Sequence, residues 1–231
     1  MVTPPIMVAI DTVDRTSALE LAAATKESVG AFKIGLGLLH GPGPSLIGDL
    51  AALGRPVFAD AKLHDIPTQV GRAAMALGKA GARWVTVHAS GGRDMLEAAA
   101  AGLADGAAGR AGVLAVSVLT SLDGDSLREI GIEEPPSSLV ASMAALAARS
   151  GAEGLVCSPR EIKLVRQAAP GLTIVTPGIR PQDVAAGDQK RVATPRQALE
   201  DGASWLVIGR AITDAPDPAA AAAKIAAGLA T

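Results

Sequence analysis

The stretch PVFADAKLHDIPTQVGRAAMALGKAGARWVTVHA, residues 56–89, decides the fold. It opens on an apolar run at 56–62, turns into an Ala/Leu-rich segment of helical character at 68–80, reaches Gly81 and ends on a second, β-branched run at 83–89. Strand, helix and strand in that order form the unit of a parallel sheet whose strands are joined by crossover helices. Gly81 stands where a helix C-terminus calls for φ > 0.

The same alternation extends both ways along the chain. Apolar runs fall at 6–11, 31–36, 56–62, 83–89, 112–120, 153–158, 172–177 and 204–209. Between them lie helical stretches at 16–29, 44–53, 68–80, 94–103, 137–150, 159–168, 195–201 and 218–229, and Gly151 and Gly202 repeat the place of Gly81. Eight strands and eight helices in 231 residues predict one α/β domain over 1–231, a (β/α)8 barrel with few insertions. A doubly wound open sheet is the alternative, weakened by the lack of a Gly-rich fingerprint after the first strand. No linker or composition break divides the chain, and the Ala-rich segments 98–101 and 219–223 read as helix faces.

Composition excludes several functions. Hydrophobic residues make up 49%, charged residues 19%, and 21 Lys+Arg against 23 Asp+Glu leave a net charge of -2, so no basic surface for nucleic acid is expected. The aromatic residues are Phe32, Phe58, Trp84 and Trp205, too few for a base-stacking platform. One cysteine, Cys157, and three histidines, His40, His64 and His88, argue against a disulfide framework and a Cys/His zinc site. No apolar run is long enough to span a membrane, and the start MVTPPIMVAID lacks a basic n-region, so the cytoplasm is the expected compartment.

A barrel carries its active site at the C-terminal ends of its strands. Asp11 ends the first run, Lys33 lies in the second, Asp60 and Lys62 end the third with His64 and Asp65 following, and His88 ends the fourth. Later runs end in Thr120, Ser158, Pro177-Gly178 and Gly209-Arg210. Of seven lysines, Lys33 and Lys62 interrupt runs that otherwise read as buried strand. Buried lysines need partners, and a period of two puts Asp60 and Lys62 on one face. The set Lys33, Asp60, Lys62 and Asp65 therefore reads either as an ion-pair network tying strands together or as a charged array facing an anionic substrate. Thr176-Pro-Gly-Ile-Arg180-Pro and Ile208-Gly-Arg210 occupy the two loops where such barrels usually bind phosphate. His64 suggests an interface or supporting group, His88 a structural hydrogen bond, His40 an incidental loop position, Cys157 packing, Asp123 and Asp125 a solvated turn, and 133–136 a helix-start loop.

The segment Asp60-Ala-Lys62-Leu-His-Asp65-Ile-Pro67 resembles the D-x-K-x-x-D-I-P motif of the orotidine 5'-phosphate decarboxylase family. The likeness continues in order through Val-Ala-Ile-Asp11, Phe-Lys33-Ile-Gly, Val-His88-Ala-Ser-Gly-Gly, Val-Leu-Thr120-Ser, Thr-Pro-Gly-Ile-Arg180-Pro, Gly-Asp-Gln189-Lys-Arg and Ile-Gly209-Arg210-Ala-Ile-Thr. The resemblance implies a cofactor-free, metal-free decarboxylation of orotidine 5'-phosphate to UMP in pyrimidine biosynthesis, by a homodimer with each site at the subunit interface. It implies that Lys62 protonates C6, Asp60 crowds the substrate carboxylate, Lys33 holds the array and the ribose, and Asp65 comes from the neighbouring subunit. By the same likeness Asp11 binds the ribose and Thr120 the pyrimidine, while Arg180, Gln189, Gly209 and Arg210 serve the phosphate under a closing loop at 182–192. The family usually carries Thr two residues after the Pro of D-I-P, where this chain has Gln69, so the ribose contact there falls to Thr68 or Gln69. Two other functions fit a chain of this kind. A magnesium-dependent sugar-phosphate decarboxylase or aldolase of the same barrel superfamily is expected to have an acidic residue in place of Lys33; a non-catalytic phosphate-ligand barrel would not need the charged set.

Overall fold

A computed structural model of the chain describes residues 3–180 and 193–229. Eight strands, β1 (Ile6–Ile10), β2 (Ala31–Ile34), β3 (Val57–Leu63), β4 (Ala82–His88), β5 (Gly112–Val116), β6 (Gly154–Val156), β7 (Thr173–Thr176) and β8 (Trp205–Ile208), pair in parallel and in chain order, and β8 closes on β1. Around them run α1 (Arg15–Thr25), α2 (Leu36–His40), α3 (Ser45–Ala51), α4 (Pro67–Lys79), α5 (Gly92–Gly106), α6 (Gly124–Glu129), α7 (Pro136–Arg149), α8 (Ile162–Ala168), α9 (Pro195–Glu200), α10 (Arg210–Thr213) and α11 (Pro218–Ala227). The fold is the closed (β/α)8 barrel that the alternation of runs predicts.

Strand periodicity divides the core into two layers. On β1, Ile6, Val8 and Ile10 face outward into the shell beneath the helices, while Met7 and Ala9 face the barrel interior with Ala31, Phe58, Trp84, Leu114, Val175 and Val207. Both faces of each strand are covered, which is why these strands read as unbroken apolar runs. At the N-terminal mouth, Trp84 and Trp205 meet edge to face at 5.5 Å. Arg83 stacks on Trp84 and makes two hydrogen bonds, of 2.9 and 2.6 Å, to Glu153, which also accepts the Trp84 indole N–H. Aromatic rings and a paired charge close that end, so the interior opens toward the strands' C-terminal ends.

The helices α4 and α5 approach so closely that a Cβ on Gly102 would overlap the Gly71 backbone. Gly81, where α4 turns into β4, has φ +101, as its place after the helix requires.

Three short helices lie outside the predicted set. His40 ends α2 instead of lying in a loop, and α10 begins immediately after β8. Asp123 is exposed, as a solvated turn residue is, and it also caps α6: its carboxylate accepts the Ser126 N–H. The run at 112–120 stops pairing at Val116, because the chain leaves the barrel wall there and Val118, Leu119 and Thr120 turn over the cavity instead. The segment at 159–168 divides into a 3₁₀ turn, Pro159–Glu161, and α8. No helix among the described residues is long and apolar enough to cross a membrane.

Candidate active site

Register places two charged side chains beside each other at the open end. Lys33 on β2 aligns with Phe58 on β3, and Asp60 follows Phe58 two residues later on the same inward face. Lys33 Nζ lies 3.0 Å from Asp60 Oδ2. Two residues further on, Lys62 Nζ reaches the same oxygen at 2.7 Å.

The strand is irregular where it makes this second contact. Against β4 the register runs from Ala59 opposite Val85 to Leu63 opposite Val87, four residues on β3 spanning two on β4. Within that bulge Lys62 has φ 46, the one positive φ among the described non-glycine residues. A lysine in this left-handed region costs about 1–2 kcal/mol, which its surroundings must offset. The Lys62 N–H donates to Thr86 Oγ1 at 2.8 Å, and the Thr86 hydroxyl donates to Asp60 Oδ1 at 2.9 Å. The bulge that carries Lys62 is thus anchored to β4 beside the carboxylate that its ammonium meets.

The Asp60 side chain is 10% exposed, so its charge is held by partners rather than by water. Burial pushes its carboxyl pKa up, but the charges and hydrogen bonds of Lys33 and Lys62 outweigh burial and leave it below the ordinary carboxylate value. Asp60 is therefore an anion flanked by two cations at neutral pH. His88, half-buried at the end of β4, packs against His64 with ring centroids 5.3 Å apart. Burial lowers its pKa, the neighbouring His64 and Lys62 lower it further, and Asp60 opposes them, so the imidazole is neutral at pH 7. Among the described residues the His88 side chain makes no hydrogen bond, so ring packing replaces the structural bond expected of it.

A cavity of about 300 Å³ opens above this cluster. Asp11, Lys33, Asp60 and Lys62 line one side, Val118, Leu119 and Thr120 another, and Arg180, Gly209 and Arg210 the rim formed by the β7 and β8 ends. Ala9, Phe58, Val116, Val156 and Val207 make its floor apolar. Burial raises the thiol pKa of Cys157, which also lines the cavity, so it packs there as an inert side chain. The cavity offers two cations and an anion at its base, hydroxyl and carboxylate groups at its sides and two guanidinium groups at its rim. A small molecule with one anionic end per charged region fits this distribution.

Of the residues predicted from sequence, the structure brings Asp11, Lys33, Asp60, Lys62, Thr120, Arg180, Gly209 and Arg210 into this one cavity. Asp65 and Thr68 do not line it. Both are exposed beside the barrel mouth, in an exposed segment, 64–69, that includes Ile66 at 63% exposure. Gln189 lies outside the described residues, and the backbone on either side of that segment pairs, Arg180 N–H donating to Ala193 O at 3.0 Å.

Residues 4–225 match the family described as "Orotidine 5'-phosphate decarboxylase / HUMPS family". The chain belongs to that family. Among its curated relatives, orotidine 5'-phosphate decarboxylase of Anaeromyxobacter sp. (strain K) is 48% identical over 225 residues, covering 97% of each chain. The enzyme of the same name from Sphingopyxis alaskensis is 47% identical over 228 residues, covering 98% of this chain and all of the relative. The crystal structure of orotidine 5'-phosphate decarboxylase from Lactobacillus acidophilus superposes with a TM-score of 0.88 at 37% identity, over 99% of this chain and 100% of that one. The relatives' name denotes a carboxy-lyase.

Within this orotidine 5'-phosphate decarboxylase-like framework, sequence reasoning missed Thr86. The signal was there: in the apolar run at 83–89, a hydroxyl stands two residues before His88 and in phase with inward-facing Trp84. The apolar floor gave no such signal, since its residues look like any other core side chains.

Proposed function

We propose that this protein decarboxylates orotidine 5'-phosphate to UMP and CO2, in pyrimidine biosynthesis, with Lys62 as the proton donor to C6. The observation that carries this reading is the shared oxygen: two lysine ammonium groups meet one buried carboxylate at the base of a cavity whose rim carries Arg180 and Arg210.

Phosphate at the rim, held by Arg180, Arg210 and the Gly209 backbone, orients the nucleotide with its pyrimidine toward β3. In this reading Asp11 and Lys33, which line the cavity, bind the ribose, and Thr120 binds the base. The substrate carboxylate on C6 then approaches the Asp60 carboxylate, and that like-charge contact disfavours the bound ground state. When the bond from C6 to the carboxylate breaks, CO2 departs and the electron pair stays on C6, where the ring delocalises it poorly. The Lys62 ammonium stabilises this negative charge and transfers its proton to C6; water later returns a proton to Nζ. A cation fixed in advance by Asp60, with little reorganisation left to do, is the kind of group that lowers such a barrier most. Binding energy from the remote phosphate supports the crowding at C6.

Lys33 also favours the nucleotide over a magnesium-dependent sugar phosphate, since a cation stands where that chemistry would want an acidic residue. Asp65 and Thr68, exposed on one protomer next to the exposed Ile66, fit a homodimer in which each supplies the partner's site, and the expected setting is the cytoplasm. The test is the absorbance change on consumption of orotidine 5'-phosphate, with and without a chelator. Equal rates in both support the proposal; activity that returns on adding a divalent cation moves the assignment to the sugar-phosphate enzymes.

A further inference from the structure

We propose that Thr86 is a positioning residue whose hydroxyl fixes the Asp60 carboxylate against the two lysines and holds Lys62 in its bulged backbone. This deepens the decarboxylase reading above and, for its kinetic part, rests on it.

Thr86 is 0% exposed on β4 and bonds to the charged cluster through its side-chain oxygen. The direction of its proton is set by its neighbours. The Lys62 N–H, 2.8 Å away, has only a proton to give, so the hydroxyl oxygen accepts there. Asp60 Oδ1, 2.9 Å away, belongs to an ionised carboxylate and has only lone pairs, so the hydroxyl must donate. One group thereby satisfies an acceptor and a donor that water reaches poorly.

Each bond has a mechanical result. With Oδ1 tied to β4, rotation of the carboxylate is stopped, and Oδ2 stays where Lys33 at 3.0 Å and Lys62 at 2.7 Å both reach it. With its N–H tied to the same oxygen, Lys62 is held at φ 46, the backbone conformation from which Nζ meets Asp60 Oδ2. The donor ammonium and its counter-charge are thus held in register by a residue that does not line the cavity. A misplacement of about 1 Å at a reacting group costs roughly a hundredfold in rate.

Thr86→Val keeps shape and volume and removes the hydroxyl, while Thr86→Ser and Thr86→Cys both lose the methyl group and differ in the strength of the remaining donor. The expected kcat of Thr86→Val is roughly a hundredfold below wild type, with UMP affinity, which reads the phosphate and ribose contacts, within about threefold. Thr86→Ser retains kcat within about fivefold and Thr86→Cys falls well below it. Wild-type kcat in Thr86→Val, or equal losses in the Ser and Cys variants, overturns the proposal; the Ser/Cys pair decides it if Thr86→Val does not fold. A readout without turnover separates this from the choice of substrate: NMR titration of the Asp60 carboxyl, assigned with Asp60→Asn, shifts upward in Thr86→Cys and stays near wild type in Thr86→Ser. An unchanged Asp60 titration in Thr86→Cys overturns the proposal even in a protein that does not consume orotidine 5'-phosphate, whereas a shifted titration in such a protein refutes the substrate alone.

Discussion

Asp60 and Lys62 lie two residues apart on one strand, and their charged atoms meet at 2.7 Å. At that contact β3 bulges and Lys62 turns through a positive φ. A pair made this way is fixed by the backbone, so it is already in place before a ligand arrives. Lys33, from the neighbouring strand, completes a triad in which one anion restrains two cations.

The rim arginine gives a first prediction. If Arg210 holds a phosphate, Arg210→Ala lowers kcat/KM for orotidine 5'-phosphate by about 2–4 kcal/mol, the range for truncating one partner of a charged hydrogen bond. The phosphate-free nucleoside, orotidine, is expected to react at an unchanged low rate. Steady-state kinetics on both substrates check this, and equal losses would make Arg210 a structural residue.

The placement of Asp65 outside the cavity gives a second. Lys62→Ala and Asp65→Asn homodimers are each expected to be inactive. In a mixed dimer, the site on the Asp65→Asn chain keeps its own Lys62 and receives an intact Asp65 from the partner. With free exchange half of the dimers are mixed and one site in two is restored, so activity rises to roughly a quarter of wild type. Mixing two different Lys62 variants recovers nothing. An inactive Lys62/Asp65 mixture, with exchange verified, would place Asp65 outside the partner's site.

Acid stability gives a third, at the opposite end of the barrel. Burial raises the Glu153 carboxyl pKa, but hydrogen bonds from Arg83 and Trp84 and the charges of Arg83 and Arg110 outweigh it, so the folded value lies below the ordinary 4.5. A depressed carboxyl contributes stability that is present above its ordinary pKa and lost as pH falls through the folded one. Glu153→Gln is therefore expected to cost about 1–3 kcal/mol at pH 7, and the gap in Tm from wild type narrows as pH drops below 4.5. Thermal melts between pH 3 and 7 measure it; a gap independent of pH would contradict the sign.

Most of this architecture was legible because its signals are periodic or costly. Continuous apolar runs marked the strands, and Lys33, Asp60 and Lys62 stood out because charge inside such a run needs a partner. The three helices α2, α6 and α10 escaped because each has six residues or fewer, too short to show a 3.6-residue repeat, and none opens on the Thr-Pro start that marked the equally short α9. The overrun of the fifth strand has another cause: Val118 and Leu119 are apolar because they line a cavity, and an apolar lining reads like strand. Thr86 was overlooked because a lone threonine in a β-run is ordinary: its phase with Trp84 marked it as inward-facing, but its role comes from the bulge on the adjacent strand. Asp65 was marked by the motif and Thr68 only as a stand-in for the Thr that the family carries at Gln69; that neither lines the one-chain cavity follows only from the three-dimensional course of the chain after β3.

The central claim, that Lys62 delivers the proton to C6, is tested most directly by following CO2 and UMP from orotidine 5'-phosphate with chelator-treated wild-type protein and Lys62→Ala. The wild type is expected to release the two products in equal amounts, and Lys62→Ala to release neither above background while still folding and binding UMP. Turnover by Lys62→Ala at the wild-type kcat would contradict the account.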